Sequence, residues 1–440
     1  MKTSKNKYTR ACTKRILVVG GGISGLETVR QLQTLSKKCK TQFHITLLEK
    51  NAECGGRIKT IRTSNTTFYE AGASRIGYSQ QRVAQLIRIL NLYKLECVTG
   101  ESNPTWINPK KELCDSFKKI KNAFIKRYNE QRLKQLSWYD ILKEECKTES
   151  EVEAFVRNWG FTSVIQNLNA YDFWKGIHNY TDSNYYTLQG GLQSLPDALL
   201  LNIKANTNTT IYTNATLHYI QINKQKHYAE WIIRKHNHNK KYSDSFDAII
   251  LALPADALQS VNGLPNEIAS RLSYVSLNPI LHCYVKTVEQ TPSNIIKWDS
   301  VTDTVLHRAR PSHDPNWFQV SYTDNNAALY MYKMLNTSYG NHFLKEKTKF
   351  FVPSWNKIDY YFWKAGTHSW KPNHISDANY SDMLQFNPKI PFFIVGSCFS
   401  HSQAWIEGAL ETVNDAMILL QEMWFKTYKQ NSNDGTVNER

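Results

Sequence analysis

The sequence predicts an α/β fold: a parallel sheet collected from separated stretches of chain, with an α+β unit inserted between them. Three observations carry this. An apolar strand at 16–19 runs into Gly20, Gly22 and Gly25, and a helix pattern starts at Leu26. A second strand at 43–48 ends in an acid, Glu49. Near the other end, an apolar strand at 392–395 runs into Gly396, a loop and a long helix at 407–426. The chain thus begins and ends with a strand–glycine–helix unit, and both fit one sheet. Its 440 residues are enough for two or three structural units with sizeable cores.

The first unit has the spacing G-x-G-x-x-G in the context that gives the motif meaning. Gly20 permits a tight turn, Gly22 lets backbone approach a pyrophosphate, and Gly25 lets helix and strand pack closely. The helix start offers free N–H groups and a positive dipole end, to which Ser24 belongs. Glu49 is placed to accept hydrogen bonds from ribose hydroxyls. The reading is a Rossmann-type dinucleotide-binding domain built from discontinuous segments; the alternative is a glycine-rich turn without a nucleotide. No second fingerprint follows, so a tightly held cofactor is expected to be the only nucleotide.

The segments divide as follows. Residues 14–77 form the first nucleotide-binding segment. Residues 78–185 read as mostly helical, with helix patterns at 81–92, 115–134, 138–145 and 150–158. Strand signals at 209–222, 228–235 and 247–252 place a second nucleotide-binding segment at 186–270. Residues 271–388 read as a sheet-bearing substrate segment, with strand-like runs at 280–288 and 317–332. Residues 389–426 close the nucleotide-binding unit. The polar stretches 1–15 and 427–440 read as disordered ends.

Composition excludes several classes. No run approaches the roughly 18–20 apolar residues that span a bilayer, and the start carries no secretory signal. The eight cysteines are scattered without zinc spacing, which points to a cytoplasmic or other reducing compartment and no metal. A net charge of +16 is dispersed rather than gathered into a basic tract, so no nucleic acid partner is expected. The sequence leaves a homodimer open.

Further motifs carry a resemblance. GGR at 55–57 follows the second strand, YEAGASRI spans 69–76, TLQGGLQSL spans 187–195, DAIILALP spans 247–254, and FFIVGSCFSHSQAWIEGAL spans 392–410. In this order they resemble the flavin-containing amine oxidase superfamily, which includes monoamine, polyamine and L-amino-acid oxidases. The resemblance implies FAD, held by Gly20, Gly22, Ser24, Gly25, Glu49, Arg57, Gly72, Ala73, Leu217, Gly396, Ser397, Trp405 and Ile406. Arg57 is alternatively a surface ion pair. A linking cysteine is absent from KAGTHSW at 364–370, so the FAD is expected to be non-covalent.

Within the superfamily, Arg75 resembles the arginine that forks onto a substrate carboxylate in L-amino-acid oxidases, a bidentate, charge-assisted geometry. Tyr322 resembles a second carboxylate-binding group, and Trp405 their active-site tryptophan. The alternatives are an ion pair of Arg75 with Glu70 or Asp182, an ordinary strand tyrosine and plain core packing. His368 either walls the amine pocket or is structural. The family places a lysine near flavin N5. Here His282 aligns with it in one register and Lys286 in another. A free imidazole at that place would titrate near ~6.5 and be partly protonated at neutral pH. Ser397 stands where the family commonly has an acid.

The resemblance implies an FAD-dependent oxidase that takes a small-molecule amine or amino acid and molecular oxygen to imine, then keto acid, ammonia and hydrogen peroxide. The leading form is an L-amino-acid oxidase with His282, Trp405 and His368 in the catalytic pocket. A monoamine or polyamine oxidase is the alternative, and a redox-silent FAD-binding protein a further one.

Overall fold

The computed structural model describes residues 13–96, 127–181, 185–235, 238–288, 300–302 and 304–425. Five strands form one parallel sheet in the order Phe392–Ile394, Ala248–Leu251, Thr13–Val19, Gln42–Leu48, Thr209–Tyr212. They come from widely separated parts of the chain, as expected.

The central strand explains why. Ile16, Leu17 and Val18 are all fully buried, so both faces of the sheet must be covered. Ile16 and Val18 pack under helices Ile23–Cys39, Ser194–Lys204 and Ile406–Phe425, through Leu26, Val29, Leu199 and Val413. Leu17 and Val19 face the other way. They meet a three-stranded antiparallel sheet, Ala215–Gln221, His227–Lys235 and His238–Phe246, through Leu217, Trp231 and Phe246. Side chains alternate across a strand, so one run of four apolar residues feeds two cores.

The inserted unit carries a second sheet, ordered Ser300–Val301, Arg308–Pro311, Trp317–Asp324, Val275–Thr287, Trp355–Trp370. One face, with Leu281, Cys283 and Val285, is covered by helices Asn325–Leu335 and Gly340–Thr348. The other face is pinned to strand Phe68–Glu70 and the residue that follows it. The Tyr284 hydroxyl donates to Glu70 O at 2.6 Å, the Tyr69 hydroxyl to Asp359 Oδ2 at 2.7 Å, and Trp363 Nε1 to Ala71 O at 2.7 Å. These bonds fix the distance between the two units and hence the shape of the cleft.

The region after residue 78 is helical at Gln81–Ile89, Glu130–Gln135, Trp138–Glu145, Glu149–Trp159, Thr162–Gln166 and Ala170–Thr181. Two of these starts carry reciprocal capping boxes, Ser137 with Asp140 and Thr148 with Glu151. The expected helix at 115–134 is described only from 127, where Glu130–Gln135 is helical. Residues 1–12 and 426–440, which include most of the expected disordered ends, lie outside the described residues. Among the described residues no helix is long and apolar enough to cross a membrane.

One expectation is corrected. The strand expected at 317–332 ends at Asp324, and Asn325–Leu335 is a helix. Aromatic content at Tyr330 and Tyr332 suggested a strand. However, Ala328, Met331 and Leu335 fall at helical spacing and are the buried residues of this segment. Core burial at that spacing outweighs weak strand propensity.

Candidate active site and cofactor cradle

At the carboxyl edge of the parallel sheet the chain builds a cradle of glycines. Gly20 has φ +104, donates its amide to Leu48 O at 2.7 Å, and would place a Cβ 2.4 Å from Ala252 O. A Cβ on Gly25 would lie 1.8 Å from Gly20 O, so only glycine lets the helix sit on this turn. Gly22 differs. It is the extended N-cap of helix Ile23–Cys39, and a Cβ there would meet only Gly56 Cα at 3.8 Å. A Cβ on Gly396 would meet only Ser24 Oγ at 3.6 Å. Gly22, Ser24, Gly56 and Gly396 thus wall a space kept clear of side chains. No acidic residue occupies the first turn of the helix, so its positive end is uncompensated. A pyrophosphate fits that space.

Glu49 is buried beside the cradle. Its Oε2 accepts from Gly21 N at 2.7 Å and its Oε1 from Asn51 N at 2.8 Å. Each oxygen retains acceptor capacity for a ribose hydroxyl. Ala215 N donates to Glu49 O at 2.8 Å, which brings Leu217, one pleat further on, to the same side of the core.

Arg57 joins three segments that are far apart in sequence. Its Nη1 donates to Gly366 O at 3.0 Å and lies 3.4 Å from His368 Nδ1; its Nη2 donates to Ser397 Oγ at 3.1 Å. None of these partners is an acid, and among the described residues Arg57 has no ion pair. The surface ion pair weighed for it is therefore not found. Burial holds its pKa below the ordinary arginine value. Asp256 acts on the guanidinium through space, but the groups that hydrogen-bond it, Gly366 O and Ser397 Oγ, are neutral. Gly72 and Ala73 pack on the same residue's backbone: a Cβ on Gly72 would lie 2.1 Å from Arg57 O, and Ala73 N donates to it at 3.0 Å.

His368 is buried, and burial, then the Arg57 charge, hold its pKa well below 6.5. Its Nε2 is buried with no hydrogen-bond partner among the described residues. Such a group is costly unless something satisfies it, which fits a ligand at this junction.

Arg75 precedes a small strand, Ile76–Gly77, that pairs with Tyr185–Leu188. This pairing lays the Arg75 guanidinium 4.2 Å from the centre of the Tyr185 ring. Tyr185 in turn lies parallel to Trp405, 6.3 Å between centroids at 5°. Trp405 immediately precedes helix Ile406–Phe425, whose first residue Ile406 is buried. Glu70 is not seen as the counter-ion of Arg75. Its carboxylate accepts from Leu192 N at 2.8 Å and Thr60 Oγ1 at 2.7 Å, and burial pushes its pKa from 4.5 up to about 7. Asp182 lies outside the described residues.

Tyr322 belongs to a different cluster, on the sheet face that carries Tyr284. His282 stacks on it at 4.3 Å and 24°, and the Arg310 guanidinium lies 5.1 Å from its ring centre. Gln319 Nε2 lies 2.9 Å from His282 Nδ1, and Arg310 Nε donates to Gln319 Oε1 at 2.5 Å. The register is now fixed. His282 is buried on the inner face, whereas Lys286 is exposed near the far end of the strand, opposite Trp317 and Lys357. The expected titration of His282 near neutral pH is overturned: burial, then Arg310, lower its pKa to about 3.

Sequence reading missed Tyr185, Gln319, Arg310 and Gly366. Tyr185 lies just before the TLQGG motif, an aromatic whose neighbour is set by strand pairing. Gln319 and Arg310 meet His282 only through cross-strand register, which no local pattern announces.

A family profile described as flavin containing amine oxidoreductase matches residues 23–412. Over 98 residues the chain is 33% identical to flavin-containing amine oxidase A of Sus scrofa, covering 20% of this chain and 18% of that protein. Over 77 residues it is 34% identical to flavin-containing amine oxidase B of Rattus norvegicus, covering 18% and 14%. These matches span under a fifth of the relatives' lengths. A solved structure of a redesigned putrescine oxidase superposes with a TM-score of 0.71, covering 93% of this chain and 99% of that one, at 13% identity.

Proposed function

Since this chain belongs to the flavin-containing amine oxidoreductase family, we propose that it is an FAD-dependent oxidase of a primary amine that carries a carboxylate, an L-amino acid. The observation that carries the finer part is the Arg75–Tyr185–Trp405 stack. Arginine binds carboxylates through its planar fork, and an aromatic ring beside it is a common companion. Arg75 would fork onto the substrate carboxylate while Tyr185 holds the fork in plane and Trp405 shapes the amine pocket.

FAD, when bound, supplies the redox step: it accepts a hydride from the amine-bearing carbon and passes electrons to oxygen. The chain's residues position and polarise. The start of helix Ile23–Cys39, with Gly22, Ser24, Gly56 and Gly396, would take the pyrophosphate, and Glu49 the ribose. Arg57 would supply positive charge, and His368 Nε2 one hydrogen bond. The FAD would be non-covalent, since the loop at 364–370 carries Gly366, Thr367 and His368 and no cysteine.

A second reading is a monoamine or polyamine oxidase, favoured by the names of the relatives and of the superposed structure. Anaerobic flavin bleaching decides between them. Bleaching by L-amino acids and not by simple amines supports the first reading. Bleaching by putrescine or benzylamine alone supports the second. Full FAD content with no bleaching by either panel overturns both.

A further inference from the structure

Gln319 lies between two groups of opposite demands. It is fully buried, in the strand between those of Arg310 and His282. Its Oε1 accepts from Arg310 Nε at 2.5 Å, and its Nε2 lies 2.9 Å from His282 Nδ1. Arginine has donors only, so the glutamine oxygen must face it. The amide NH2 must then face the ring, and His282 Nδ1 must accept. An imidazole that accepts at Nδ1 carries its proton on Nε2.

We propose that Gln319 is a positioning residue that holds His282 as a neutral Nε2–H tautomer, a hydrogen-bond donor at Nε2 at every working pH. The site therefore does not use a cation where the family resemblance expected a lysine. It uses a neutral donor of fixed sense, suited to a water or to a developing negative charge. The proposal rests on the oxidase reading only for what that donor serves. The tautomer itself stands on geometry.

The surroundings agree. Arg310 is the one cation described near the ring, and it opposes a second proton. Tyr322 stacks on the ring from one neighbouring strand. From the other, Tyr361 stands opposite His282 in register. Tyr284 follows on the same face, its hydroxyl bonded to Glu70 O, and the Glu70 carboxyl is itself pushed toward neutrality. No carboxylate is described in contact with His282 to draw a proton onto Nδ1.

The test is nitrogen-15 NMR of histidine-labelled, FAD-loaded protein, with the His282 signals assigned by their loss in His282→Asn. Between pH 5.5 and 8.5 the wild type should show Nδ1 unprotonated and Nε2 protonated, at a ratio of at least about ten to one. Gln319→Met keeps the volume but removes the donor, and should lower that ratio at least threefold. Gln319→Glu offers Nδ1 an acceptor and should leave His282 doubly protonated at pH 7. A wild-type His282 that titrates in this range, or carries its proton on Nδ1, overturns the proposal. So does an unchanged ratio in a Gln319→Met protein that still binds FAD. The wild-type tautomer is read without any change at Gln319, and it does not depend on which amine bleaches the flavin. Failure of the oxidase reading is therefore separable from failure of this one.

Discussion

Replacing Glu70 by glutamine should make the protein relatively more stable as pH rises. Glu70 is 4% exposed, and burial raises its pKa from 4.5 to about 7, against hydrogen bonds from Leu192 N and Thr60 Oγ1. For an acid the raised value means that the folded state binds the proton more tightly than the unfolded state does. Its contribution to stability is therefore full below pH 4.5 and is lost as pH rises through 7. The gap is worth roughly 3 kcal/mol in full, most of it between pH 5 and pH 8. Glutamine removes the titration. It also disturbs the bond to Thr60, but that cost is the same at both pH values and cancels in the comparison. The assay is urea unfolding of both proteins, FAD-loaded, at pH 5 and pH 8. The stability of Glu70→Gln relative to wild type should rise by roughly 2–3 kcal/mol between the two. A difference that stays constant with pH would mean that Glu70 titrates alike in both states, and the burial argument would be wrong.

Other outcomes follow from the same geometry. Gly22→Val should leave the fold intact, because a Cβ there meets only Gly56 Cα at 3.8 Å, yet the purified protein should lack FAD absorbance. Gly25→Ala should instead lower the melting temperature, because its Cβ would lie 1.8 Å from Gly20 O; equal effects of the two would refute the cradle. Arg75→Ala should cost on the order of 2–4 kcal/mol in kcat/KM for an L-amino acid, and much less for an amine without a carboxylate. Acid precipitation should release yellow FAD into the supernatant, and flavin retained in the pellet would show a covalent link.

What could be read from sequence was whatever one segment decides alone. Gly20, Gly22, Gly25 and Glu49 are a local motif, and the strand Thr13–Val19 and the helix after it follow from adjacent residues. The His282 strand was ambiguous for a physical reason. Leu281, Cys283 and Val285 are buried on one face, and Ile280, His282 and Tyr284 on the other. A strand buried on both sides shows no alternation, so nothing local fixes its register. The strand Trp355–Trp370 failed for the opposite reason: at the sheet edge its middle residues are half-buried on both faces, and they read as neither core nor surface. Arg310, Gln319 and Tyr185 acquire meaning only from strands paired across the chain.

The electrostatics of the cleft follow from burial as much as from composition. His282 and His368 are both held below their ordinary pKa by burial first and an arginine second, so each is neutral at pH 7. Glu70, the buried acid at the joint between the units, is pushed toward neutrality by the same desolvation. Burial thus discharges the groups that can give up their charge cheaply. Guanidinium cannot, so Arg57 and Arg310 stay positive, and neither has an ion pair among the described residues. Under the proposed reading, Arg57, Arg75 and Arg310 would favour an anionic group and oppose a dication such as a protonated diamine. That reading has a test: if Arg310→Met left amino-acid binding unchanged and putrescine still failed to bleach the flavin, selectivity would rest on Arg75 and pocket shape, not on the charge of the cleft.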